Sequence, residues 1–275
     1  MKRLIQTLTL LFTVLIAPAL AQTRGGLIFQ SSTTGVNYDP LNGIFPLGYN
    51  AQATLYPVDR LFSPTASGAC PPTTTTCNGL SVRFIHSSIE FYRPLAEITY
   101  VSPYQINLVI PSVFLNATQT YIVEVYSGDT NTHSRGIAIP PHSALPIVTY
   151  QSVQGSVKPL IIGTLYDNTG TVAIKSLTDG NPNPRTYNGQ PTVAQVYFSG
   201  WYATDPGAQT PLTLFYDGAF LADVNLYPQY PGVALTNALA PPGGWTAGVK
   251  SILLKFVNPD PPQDFGFNAF IWWAE

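Results

Sequence analysis

The chain has 275 residues, of which 45% are apolar and 12% aromatic but only 9% charged, and its formal net charge is −2. So apolar a chain can bury a core, which excludes a wholly disordered protein. The lack of a basic excess removes the electrostatic footprint that a nucleic-acid binder needs.

The chain opens MKRLIQTLTLLFTVLIAPALAQ, with basic Lys2 and Arg3, an apolar run from Leu4 to Ile16, and Ala19-Leu20-Ala21 ahead of Gln22. This pattern predicts a signal peptide over 1–21, cleaved after Ala21. The run is too short to serve as a membrane anchor and is broken by Gln6, Thr7 and Pro18. Removing 21 of the 275 residues leaves 254, enough for two ordinary β domains, and losing Lys2 and Arg3 takes the formal charge from −2 to −4. No later stretch is apolar enough to span a bilayer, so an exported location is expected: secreted, at the cell surface or in the periplasm.

Between 26 prolines and 22 glycines lie short runs rich in Val, Ile, Thr, Tyr and Phe, the mark of an all-β sandwich or barrel. The first half has predicted strands at 26–30, 53–57, 80–86, 89–92, 97–101, 104–110, 120–127 and 135–139. Among them, Cys70 and Cys77 enclose Pro-Pro-Thr-Thr-Thr-Thr. In an exported protein this pair is expected to form a disulfide, a local staple contributing about 2–3 kcal/mol. With no CxxC spacing and no histidine cluster beside the pair, neither a metal nor a cofactor is expected.

In the stretch 96–112, AEITYVSPYQINLVIPS, alternation puts Tyr104, Ile106, Leu108 and Ile110 on one face and Gln105, Asn107 and Val109 on the other. Ser102-Pro103 reads as a tight corner, with the Gln105 and Asn107 amides available to its backbone groups. The run Ala96 to Asn107, followed by Pro111, resembles the YVSPxQIN signature of a domain family from secreted proteins of Solibacter-type Acidobacteria. Leu80 to Phe84 and Val123 to Gly128 stand where that family has flanking strands, so the resemblance covers about 78–147. Glu97 stands where the family has proline, and Tyr104 where it has a small residue. In arrangement the segment is also similar to the IPT/TIG branch of immunoglobulin-like domains. The resemblance implies a bacterial exported sandwich over 22–147 and brings no catalytic residues with it.

PPHSALPIV (140–148) reads as a linker. A second β-sandwich is expected over 148–275, with strands at 160–166, 171–175, 192–200, 212–216, 219–227, 249–257 and 265–273, and a hairpin at Asp217-Gly218. Two immunoglobulin-like sandwiches behind a leader are thus the expected fold.

Chemistry is sparse. Nucleophilic catalysis needs a base, and only His86, His133 and His142 could serve. None lies in a GxSxG elbow, and the last two read as solvated loop residues. Glu90, Glu97 and Glu124 fall on predicted strands and are expected to point outward. Asp167-Asn168-Thr169-Gly170 and Asp179-Gly180-Asn181 read as Asx turns, not calcium loops. A non-enzyme is therefore expected. Trp201, Tyr202, Tyr227, Tyr230 and Trp245 fall in or beside turns and could stack on sugars, so a polysaccharide or a cell-surface protein is the expected partner. Adjacent Trp272 and Trp273 must point to opposite faces. The apolar C-terminal run FGFNAFIWWAE offers an alternative, an edge strand that joins copies into a fibre or layer.

Overall fold

The computed structural model describes residues 24–38, 50–89, 91–111, 119–139, 144–200, 212–224, 226–230, 233–237, 239–256 and 268–275. The leader and His142 lie outside this set, as does Glu90. Among the described residues every regular element is a β-strand, so the protein is all-β.

The first half pairs into two sheets. One runs in the order Leu27–Ser31, Gln52–Pro57, Ile106–Val109, Glu97–Val101, Gly68–Ala69; the other in the order Thr76–Cys77, Leu80–His86, Gln119–Ser127, Thr130–Ile139. Phe29, Leu55, Ile98 and Ile106 from the first meet Val82, Phe84, Tyr121, Val123 and Ile137 from the second in one buried cluster. Alternation explains the split: along Leu80–His86 the residues Leu80, Val82, Phe84 and His86 are buried, whereas Arg83 and Ile85 stay partly exposed.

The 96–111 stretch forms the strand, corner and strand that its sequence implies, with Ile106, Leu108 and Ile110 buried. Ser102, not the amides, satisfies the corner. Its Oγ accepts the N–H groups of Tyr104 (3.2 Å) and Gln105 (3.1 Å), and its own N–H bonds Gln105 O at 2.8 Å. Tyr104 sits on this corner before the strand begins and is therefore exposed. Cys70 and Cys77 are joined, and their loop is tied down by Thr73 N–H on the Glu97 carboxylate at 2.7 Å.

Four expectations need correction. Around Ser88 and Ile89 the chain turns instead of forming a strand, because His86 Nδ1 accepts both of their amides at 3.0 Å. His133 is not solvated. It lies fully buried on Thr130–Ile139, bonded to Thr132 Oγ1 and Arg60 O, with its ring edge-on to Phe62. Glu124 is on the outer sheet face but buried, since the segment at Arg24 and Gly25 pairs along the strand edge at His133 and covers it. Arg24 bridges its carboxylate at 3.1 Å and Tyr126 OH donates to it at 2.7 Å. Finally, the linker ends in a strand: Ala144–Pro146 pairs with Val193–Gly200, and Leu145 is buried.

The second half builds one sheet in the order Val148–Val153, Ser156–Ile161, Ala269–Trp273, Gly248–Phe256, Leu212–Tyr216, Ala219–Val224. The other runs Ala173–Ser176, Gly163–Tyr166, Val193–Gly200, Val233–Thr236, Leu226–Tyr230. Ile161, Phe198, Leu214, Ile252 and Trp273 belong to its separate buried cluster. The C-terminal strand is no edge: Ala269–Trp273 pairs antiparallel with Gly248–Phe256 and parallel with Ser156–Ile161. It completes its own sheet. The two halves meet through Gln52 N–H on Ser199 Oγ (2.8 Å), Val148 N–H on Thr33 O (3.1 Å) and Tyr150 OH on Thr34 O (2.7 Å).

Candidate functional site

Of the five aromatic residues expected to bind ligand, Trp201 and Tyr202 lie outside the described residues, and Tyr227 and Tyr230 fall on a strand whose backbone alone is described. Trp245 is well defined, and its location corrects the expectation of a free loop aromatic. Gly243 and Gly244 both adopt positive φ (85° and 83°), and Gly244 N–H closes a turn on Pro241 O at 2.9 Å. That reversal sends the next side chain back between the sheets. Trp245 is 4% exposed, stacked on Trp273 with centroids 4.3 Å apart and planes at 18°, and edge-on to Tyr216. Its Nε1 donates to Thr192 O at 2.7 Å. Burial raises the Tyr216 phenol above its ordinary pKa. As alternation requires, Trp273 is buried while Trp272 on the opposite face is only half-buried.

What remains of the Trp245 surface opens into a cleft of about 460 Å³, lined also by Arg185, Thr186, Pro191, Gly244 and Glu275. One wall is the hairpin Thr186–Tyr187 and Gln190–Pro191, turned by Asn188 and Gly189 at positive φ. Two fully buried polar residues hold its base. Thr192 Oγ1 donates to the carbonyls of Pro184 (3.0 Å) and Arg185 (3.1 Å), and Asn183 Nδ2 donates to Leu177 O (3.2 Å) and Trp272 O (2.9 Å). The Arg185 guanidinium is half-buried and makes no hydrogen bond or ion pair among the described residues, leaving its donor fork available to a ligand. The rim is open at Gly243 and Gly244, where an added Cβ would meet no atom within 4 Å.

Other chemistry is absorbed by structure. His86 Nδ1 and both His133 nitrogens are committed as described above. Asp167 closes an Asx turn, accepting the amides of Val172 and Thr171 at 3.1 Å and the Thr169 hydroxyl at 2.9 Å. Foremost the Val172 amide, then the Thr169 hydroxyl, holds the Asp167 carboxyl below its ordinary pKa. Asp179 likewise accepts Asn181 N–H at 3.0 Å. Among the described residues no three His, Cys, Asp or Glu side chains gather as a metal site, and no helix is long and apolar enough to cross a membrane.

The sequence pointed to Trp245 but not to Arg185 and the Asn183–Thr192 base. The only signal available was the Asn-Gly turn, which marks the hairpin without saying what it faces. Compared with family models and with curated proteins, the chain matches none.

Proposed function

We propose that this is an exported, non-catalytic β-sandwich protein that binds a glycan or another surface partner, with the cleft beside Trp245 as a ligand site. The observation that carries the reading is a concave site beside Trp245 in which an uncommitted guanidinium stands among apolar and backbone groups. Such a mixture of apolar surface and a few placed polar groups is what small-ligand and saccharide sites require. Commitment of His86 and His133 to backbone and hydroxyl groups supports a binding role over acid–base catalysis. The disulfide supports an oxidising, extracytoplasmic compartment, and the YVSPxQIN resemblance agrees with a bacterial exported module.

All four tryptophans lie at position 201 or beyond, so tryptophan emission reports on the half that holds the cleft. Titration of the mature chain with soluble polysaccharides, neutral and acidic, is expected to give a saturable shift that Arg185→Ala weakens about tenfold, the loss of one charge-assisted contact. A shift that Arg185→Ala leaves unchanged would remove the cleft from the account.

A further inference from the structure

The first sandwich carries a polar, nearly uncharged face built around the Gln-Ile-Asn of the motif. Antiparallel register puts Thr54 opposite both Gln30 and Asn107, Asn107 opposite Tyr100, and Ile28 opposite Tyr56. Phe29, Leu55, Ile106 and Val101 alternate with these residues and fill the core, so the first set faces away from it. Thr54 Oγ1 and Gln105 Nε2 both donate to Asn107 Oδ1, at 3.1 and 3.2 Å, and Thr54 Oγ1 also bonds Ser32 Oγ at 2.7 Å. This chain aligns the two amides and consumes one oxygen. Asn107 Nδ2, Gln105 Oε1 and the phenols of Tyr56 and Tyr100 take no partner among the described residues and remain half-exposed. The one carboxylate on the described face, Glu97, stands at its margin and already accepts Thr73 N–H. The second sandwich touches this sheet at its far end, through Gln52, Thr33 and Thr34.

We infer that this face binds an uncharged polysaccharide, with sugar rings against Tyr56 and Tyr100 and sugar hydroxyls on the amides of Gln105 and Asn107. The inference rests on the glycan reading above and extends it to a second surface and a ligand class. Charge complementarity selects the occupant: the strands of this sheet carry Glu97 and neither Lys nor Arg, so they offer a polyanion repulsion and no paired cation. An apolar protein partner would strand the amides without hydrogen bonds, at about 1–3 kcal/mol each, whereas hydroxyls pair with them. Tyr56 and Tyr100 stand two strands apart, about 10 Å across the sheet, a span that fits a chain of sugars and exceeds a single ring.

The test is calorimetric titration of the mature chain with a soluble neutral β-glucan, a galactomannan and polygalacturonate, because tryptophan emission does not sample this face. Tyr56→Ala and Tyr100→Ala are each expected to weaken neutral-polysaccharide binding roughly tenfold. Tyr56→Phe, which keeps the ring, should bind within about threefold of the parent. The tyrosines lie outside the core, so unchanged urea midpoints will show that the variants fold. Neutral binding that survives both alanine variants, or binding of polygalacturonate alone, would overturn the face as the site while leaving the glycan reading intact. No binding to any of the three would overturn both.

Discussion

The two sandwiches use aromatic residues in opposite ways. In the first, the buried rings meet edge to face, Phe29 on Phe84, Phe84 on Tyr121 and Tyr121 on His86, all from strands and all inside, while two further strand tyrosines face out. In the second, a loop residue supplies the centre: Trp245 enters from a glycine turn and lies flat on Trp273. Position in a turn or on a strand therefore does not decide exposure. What decides it is the direction the backbone gives the side chain, and two adjacent glycines reverse that direction within one residue.

The comparison can be broken by mutation. The largest effect is expected from Trp273→Ala, which removes a fully buried ring and the partner face of Trp245; urea unfolding followed by tryptophan emission should show about 3–5 kcal/mol lost from the second sandwich. The first sandwich has its own buried cluster, so its unfolding by tyrosine-region circular dichroism should move far less. Within that first sandwich, His133→Ala should cost about 2–3 kcal/mol, because Arg60 O and Thr132 Oγ1 lose a buried partner. Reducing Cys70–Cys77 should cost about 2.5 kcal/mol, the closure entropy of so short a loop, without unfolding the chain at 25 °C. Ser102→Ala frees two corner amides that already lie near solvent and should cost about 1 kcal/mol.

The smallest effect is a pH one. Asp167 titrates below its ordinary value when folded, so its turn contributes stability above the unfolded carboxyl pKa of about 3.9, and that contribution is lost as pH falls through the lower folded value. A carboxyl NMR titration with a midpoint at or above that of a free aspartate would remove the turn's contribution.

Period-two alternation and Pro/Gly punctuation made most strands legible: 80–86 and 97–101 were read to the residue, and 106–109 lies within its predicted run. The errors fall where tertiary contacts override local pattern. The turn at Ser88 depends on a histidine acceptor, the burial of Glu124 on an N-terminal segment that covers it, and the strand at Ala144–Pro146 on pairing with residues more than fifty positions away. The candidate sites were half legible for the same reason. Gln105 and Asn107 stood out in the motif, but Tyr56 and Tyr100 join them only through sheet register, and Arg185 joins Trp245 only through folding.

The central claim, that this fold presents ligand surfaces instead of a reacting centre, is tested most directly by hydrogen–deuterium exchange of the mature chain with and without a saturating soluble neutral polysaccharide. Slowed exchange is expected over 54–56 and 99–107, and over 185–191 and 243–245 if the same polymer also enters the cleft. Exchange identical in both states, or slowed only outside these stretches, would contradict the account.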